Sequence, residues 1–461
     1  MNSLLFEQID NSGLVKHGKV DREAISKLTV TDIIDFVQQS LDLTDTTDLQ
    51  GDKELFTHSA SLSLGGGPWP CFHFECRKRK AEELAQFAAF YSDRVYICNF
   101  LADILSCLEH AKSPDEFQLK THLESHLVVL NTLRPLIEAE AIVPIKIPNY
   151  CPHCFAEHIL KQSDELRVKK GIEHLANRYR KETTFTLKKL CEHRYTLEMT
   201  GPEELIEHGK IFQELSNIPL GFLAKHPKVK KQIESGIEVR LSNKAIKDLH
   251  FDEHLAQEIF SNVRFELITS QCLNAKFVTE RTIDIDLIKN ISCDRDIDRR
   301  NQIVQKHLTS LVPFLGNIAA SDILRIKKGE MDAFLLFRKA LNDAIDECRK
   351  QKTNFSEDDA NAIYQDILRP RLANLNQKVK TARKSLAKSS ATKILAWTGA
   401  ITFGLYTGLL PTELAGLAKA LGITKVLAEL TENIASQRKI EKVIKNEDLY
   451  FLWKVKREAE K

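Results

Sequence analysis

From Ser321 onward the apolar side chains recur at helical spacing, and this periodicity constrains the fold more than any other feature of the chain. Phe334, Phe337, Leu341, Ile345 and Cys348 fall 3, 4, 4 and 3 residues apart, the buried stripe of an amphipathic helix for which Ser321 is the expected cap. Leu368, Leu372, Leu375, Val379, Ala382 and Leu386 follow at 4, 3, 4, 3 and 4, a heptad-like seam suited to helix–helix packing within the chain. Strand patterns are expected only between about residues 90 and 245. Residues 94–98 and 141–147 form two apolar runs, and Pro144 places the second at a sheet edge. Residues 183–190 and 195–200 alternate as a hairpin around Cys191-Glu-His193, and residues 237–241 give a further short strand. Helices are expected over 30–41, with Thr31 and Asp32 as caps, over 77–92 and over 115–139. The class that follows is α+β, predominantly α-helical, with a small central β element and an all-helical C-terminal half. The expected divisions are a helical segment at 1–60, a central α+β domain at 61–310, a helical domain at 311–390 and a C-terminal hairpin and tail at 391–461.

Charge and composition exclude several classes. The 461 residues carry 66 Lys+Arg against 64 Asp+Glu, a net +2, which lacks the basic excess of a nucleic-acid-binding domain. Ten cysteines are too few for a disulfide scaffold in a chain of this length. The first twenty residues have no basic region before an apolar core, and Glu7 and Asp10 interrupt the apolar run, so a cytoplasmic protein with reduced thiols is expected. Gly65-Gly66-Gly67 precedes no Gly-Lys-Ser/Thr and lies in no G-x-G-x-x-G, and reads as a turn.

The candidate metal site is Cys151-Pro-His-Cys154 with Cys191 and His193. Two short-spaced pairs on separate turns supply four soft ligands, the pattern of a closed, structural zinc site. His153 and His158 are alternative fourth ligands, and Cys71, His73 and Cys76 form a looser cluster beside them. The competing readings are unliganded thiols and redox chemistry. Cys-Pro-His-Cys resembles the active-site tetrapeptide of thioredoxin-fold disulfide oxidases, for which Pro219 would stand in the place of the family's cis-proline.

Carboxylates cluster at Asp252, Glu253 and Glu258 with His254, and at Asp284, Asp286, Asp294, Asp296 and Asp298. A two-metal nuclease needs several carboxylates on facing elements. The run from Asp294 to Arg300 alternates acid with base, which favours a self-paired solvated face. His254 with Glu258, and His122 with His126, stand at i, i+4 without the H-E-x-x-H pattern of a zinc protease.

Residues 378–393 are basic and without acid, and residues 394–410 carry no charge. Seventeen uncharged residues are the short limit for a bilayer span, and an amphipathic stretch over 412–430 completes a hairpin. Burial in a fold and membrane association through 394–430 are the two readings.

Phe87-Ala-Ala-Phe-Tyr-Ser-Asp-Arg-Val-Tyr-Ile97, Leu133-Arg-Pro-Leu-Ile-Glu-Ala-Glu-Ala-Ile-Val143, Ala320-Ser-Asp-Ile-Leu-Arg-Ile326, Phe334-Leu-Leu-Phe-Arg338 and Tyr450-Phe-Leu-Trp453 resemble in pattern uncharacterised bacterial proteins found near mobile elements and phage-defence genes. The resemblance brings no catalytic residue with it and implies a bacterial antiviral setting. The expected function is a non-enzymatic protein acting through protein partners. The alternatives are a membrane-depolarising effector, which inserts the hairpin at the inner membrane when triggered, and a metal-dependent nuclease.

Overall fold

A computed structural model describes residues 2–43, 56–67, 73–105, 115–145, 165–191, 194–215, 220–236, 238–291, 299–351, 355–388, 445 and 447–460. It divides into two units, Met1–Lys306 and His307–Lys461. The α+β, predominantly helical class holds across the described residues.

The first unit opens with α1 (Asn2–Asn11), a two-residue hairpin of β1 (Val15–Lys16) and β2 (Lys19–Val20), α2 (Arg22–Ser26) and α3 (Val30–Asp42). The cap of α3 is Thr29, two residues earlier than expected. Thr29 accepts from the Asp32 amide and Asp32 bonds back to the Thr29 amide, a reciprocal capping box. A parallel sheet follows, of β3 (Thr57–Ala60), β4 (Arg94–Cys98) and β5 (Ile142–Ile145). Helices α4 (Phe74–Phe90) and α5 (Glu116–Glu138) make the crossovers that parallel pairing requires. Among the described residues strand β5 pairs with β4 alone, and Pro144 stands at the edge of the sheet they form, as its missing N–H demands.

Helix α6 (Glu165–Glu182) leads to an antiparallel sheet of β6 (Thr184–Cys191), β7 (Arg194–Thr200), β8 (Lys210–Leu215) and β9 (Val239–Arg240), in the order β8-β7-β6-β9. Short helices α7 (Leu220–Lys225) and α8 (Pro227–Glu234) precede β9, and α9 (Asn243–Leu249) follows it. Next comes α10 (Phe251–Cys272), then β10 (Lys276–Val278), which joins the parallel sheet beside β3 in the order β10-β3-β4-β5. Phe251, Leu255, Ile259 and Val263 of α10 share a core with Phe185, Leu187, Leu197 and Met199 of the antiparallel sheet. Glu266, on the same helix, reaches the parallel sheet. One helix therefore serves both sheets.

The strands extend beyond the expected interval. Strand β3 was hidden because Thr57-His-Ser-Ala60 is polar, although all four residues are buried. His58 is fully buried, its Nδ1 2.6 Å from Ser92 Oγ and its ring edge-on to Phe87. Strand β10 has three residues, too few for a period to show. Helix α11 (Thr282–Ile291) and α12 (Arg299–Leu311), which kinks at His307, close the unit and lead out of it.

The second unit is helical throughout its described residues, with α13 (Ala320–Gly329), α14 (Met331–Gln351), α15 (Glu357–Ala362), α16 (Arg369–Lys388) and α17 (Tyr450–Ala459). Ser321 and the Phe334 stripe lie on two helices, and Ser321 is inside the first turn of α13 rather than its cap. Phe334, Phe337, Leu341 and Ile345 are fully buried as their spacing requires. Leu368, Leu372 and Leu375 are buried too, while the side chains of the seam from Val379 on lie outside the description. Between α15 and α16 the chain makes a π-helical turn, Ile363–Leu368. Pro370 gives the physical reason, because it has no N–H for the carbonyl of Asp366 and its ring crowds that carbonyl. Helix α17 fills the centre: Phe451 lies 5.2 Å from Phe334 and 5.7 Å from Phe337, and Trp453 Nε1 donates to Asn376 Oδ1 at 2.7 Å. Helix α17 is thus part of the core of the second unit.

Candidate functional site

Among the described residues, two places that gather polar chemistry stand out, one in each unit. The first is the carboxyl edge of the parallel sheet. Strand β3 lies there between β4 and the late-joining β10. The turn after β3, Ser61 to Gly67, sits there.

That turn is closed on itself. Gly65 N donates to Ser61 O, Gly66 N to Ser63 O and Gly67 N to Leu62 O, at 2.9, 3.0 and 2.7 Å. Leu64 N is taken by Ser61 Oγ and Leu62 N by Glu266 Oε1. A phosphate cradle needs such amides pointing outward, so the three glycines serve packing, as their sequence context implies. Gly66 has φ +83 and its Cα faces Val129, where a Cβ would come within 2.5 Å of a methyl carbon.

Side chains from distant elements clamp the turn. Arg77 of α4 donates to Gly66 O at 2.7 Å, to Ser125 Oγ at 2.6 Å and to His126 Nδ1 at 2.7 Å. Guanidinium can only donate, so His126 Nδ1 accepts and the neutral ring carries its proton on Nε2. Burial, then the charge of Arg77, holds His126 well below the usual histidine range. Lys80 Nζ reaches Ser63 Oγ at 2.6 Å and Glu280 Oε1 at 2.9 Å, while Ser63 and Ser61 both donate to the Glu280 carboxylate. Burial alone would raise Glu280, but the Lys80 ammonium and the Ser63 hydroxyl hold it below its ordinary value. Glu266 is pushed up to about 8 by burial and by the charge of Asp284. Burial likewise raises Asp284 in spite of Arg281 and the bond from Thr279 Oγ1 at 2.7 Å.

This constellation contains a serine between a lysine and a carboxylate, the ingredients of a nucleophile. Its geometry is that of a staple. Ser63 is 3% exposed and its proton goes to Glu280, while Lys80 is committed as a cation to the same carboxylate. The arrangement joins the turn after β3, helices α4 and α10, and Glu280, the second residue after β10.

The sequence-derived carboxylates do not converge among the described residues. Asp252, fully buried, pairs with Arg180 at 2.5 Å; Asp286 pairs with Arg178 at 3.3 Å; Asp284 faces Arg281 at 3.3 Å. His254 and Glu258 are both exposed, and no group of three metal-ligating side chains forms among the described residues. His122 and His126 stand 6.3 Å apart between ring centres, with His126 held by Arg77. Asp294, Asp296 and Asp298 lie outside the described residues, as do Pro219, Cys71, His158 and the segment 394–430. So do Cys151, His153, Cys154 and His193, and of Cys191 only the backbone at the end of β6 is described. Of the looser cluster, Cys76 stands 3.3 Å from Nε2 of His208, a residue that sequence spacing could not connect to it. Thiolate and imidazole sharing one tetrahedral zinc stand about 3.6 Å apart, so this pair has the right chemistry for two ligands of four.

The second place is a groove of about 540 Å³ in the helical unit. One wall is a single face of α14: Leu336, Ala340, Ala344 and Cys348 at i, i+4 spacing, flanked by Lys339, Asp343 and Glu347. This face lies beside the stripe that α14 buries. The other wall is the π-helical turn with Ala362, Ile363, Asp366 and Ile367, and Arg371 and Asp448 close one end. Leu336, and Leu335 and Met331 beside it, are more than two-fifths exposed. Sequence reasoning missed this site because its second wall depends on a π turn. The stripe 336, 339, 340, 343, 344, 347 and 348 was the available signal.

The chain matches no protein-family model, no curated protein and no solved structure. No helix among the described residues is long and apolar enough to cross a membrane.

Proposed function

We propose that this chain works by docking a protein partner in the groove between α14 and the π-helical turn of the second unit. The observation that carries the reading is the groove itself. Its floor is apolar, its rim is charged, and exposed leucines extend it along α14. An apolar floor within a polar rim is the anatomy of a recognition site. The chemically suggestive groups of the first unit support the reading from the other side, because Ser63, Lys80 and Glu280 are engaged with one another in holding a turn. A component of a bacterial antiviral system is the setting proposed, and rests on the pattern resemblance alone.

The test is site-specific photo-crosslinking in the native cell. A photoreactive residue at Leu336 is expected to give one discrete adduct, and the same residue at exposed Phe117 of the first unit is expected to give none. Identical adducts from both positions, or none from Leu336, would count against a docking groove.

A further inference from the structure

We infer that the occupant of the groove is a basic amphipathic helix presented by the partner protein. The inference rests on the docking reading and adds the shape and charge of the ligand.

Shape comes first. The apolar ridge from Leu336 to Cys348 runs along α14 for twelve residue steps, about 18 Å at the helical rise. Ala340 and Ala344 on one wall and Ala362 on the other are small, which leaves a channel that admits a ridge of side chains from another helix. An extended peptide would need an open sheet edge for its backbone, and both walls here are helical, with their amides bonded internally.

Charge decides the rest. Asp343, Glu347, Asp366 and Asp448 line the groove against Lys339 and Arg371, four acids to two bases. Arg371 is bound to Asp448 at 3.0 Å, so this pair cancels and Asp343, Glu347 and Asp366 outnumber Lys339. The three acids stand on both walls, where Lys or Arg on either flank of a bound helix would meet them. The same excess repels a phosphate backbone or an anionic bilayer. Leucine or isoleucine on the inserted ridge would meet Ile363 and Ile367 across the alanines.

The experiment uses the full-length chain and three designed, dye-labelled helices of about four turns. All share one leucine stripe, and their flanks carry lysine, glutamate or glutamine. Fluorescence anisotropy is expected to show the lysine helix bound at least about tenfold more tightly than the glutamate helix, with the gap narrowing as salt rises. The double variant Asp343→Lys with Glu347→Lys changes two exposed residues and is expected to invert the preference. Ala340→Trp, confirmed folded by circular dichroism, is expected to abolish binding of every helix. Equal binding of all three helices, lost in Ala340→Trp, would overturn the basic occupant and leave the docking groove standing. Absence of binding while the Leu336 adduct persists would do the same. Binding that survives Ala340→Trp would place the site elsewhere and overturn both. Binding seen only after deletion of 394–430 would make the occupant this chain's own segment, and overturn the partner.

Discussion

Replacing Lys80 by methionine removes the ammonium from the clamp at the carboxyl edge and leaves its carboxylate in place. The side chains of Lys80 and Glu280 are 9% and 16% exposed, so neither charge has water to fall back on. Breaking a buried pair by removing one partner costs about 3–5 kcal/mol. For a unit of this size that lowers the melting midpoint by roughly 5–8 °C. The cost depends on pH in a definite direction. In the parent, Lys80 opposes the effect of burial and holds Glu280 below its ordinary value. Without Lys80 the serine hydroxyls are left to oppose burial, and the folded-state value rises from that of the parent. The stability lost with the ammonium is lost in full above the raised value and shrinks as pH falls through it. The gap between parent and Lys80→Met is therefore expected to be wide at pH 8 and narrow at pH 5. Glu280→Gln in the same chain is expected to recover most of the loss at pH 8, since no charge is then stranded. Urea unfolding at both pH values, with hydrogen exchange of the peptide covering β3 and its turn to place the effect in the first unit, completes the cycle. A single variant as stable as the parent at pH 8, or a double variant no better than the single, would refute the staple.

Glu266 works in the opposite sense within the same cluster. Its folded value is about 8 against about 4.3 unfolded, so its burial weakens the fold progressively as pH rises between those values. Glu266→Gln, which can still accept from Leu62 N, is expected to flatten that part of the stability–pH curve by a few kcal/mol, and an unchanged curve would show that Glu266 does not titrate there. Thr29→Ala removes the capping box of α3 and is expected to cost about 1 kcal/mol in thermal unfolding. A chain ending at residue 390 lacks α17, whose Tyr450, Phe451, Leu452 and Val455 are nearly or fully buried, and is expected to lose the near-UV signal and protease resistance of the helical unit. Internal deletion of 394–430 keeps α17 and is expected to retain both. Zinc held by Cys151, Cys154, Cys191 and His193 would disappear from metal analysis of Cys154→Ser and remain in Cys76→Ser; the reverse result would assign it to the Cys76–His208 pair.

Elements set by local pattern were legible in the sequence. Strand β4 has the ends that its apolar run implies, the hairpin of β6 and β7 follows its alternation, and the buried face of α14 follows its spacing. The parallel sheet was half visible, because β3 buries polar residues whose partners are tertiary and β10 is very short. The clamp was not legible, since Lys80 and Glu280 are two hundred positions apart and neither belongs to a motif. Asp284 was singled out for its acidic neighbours, yet its environment is made by burial, Arg281 and Thr279, with Glu266 close by. The groove failed for a related reason. Its α14 face mixes alanines with charges and reads as an ordinary solvated surface until the π turn at Ile363–Leu368 is placed against it.

The most direct test of docking in the second unit is hydrogen exchange of the full-length chain, free and bound to the partner recovered through Leu336. Slowed exchange confined to residues 336–348 and 362–371 is the expected result. Slowed exchange over residues 61–67 and 77–80, with the groove unchanged, would contradict it and return the function to the carboxyl edge of the parallel sheet.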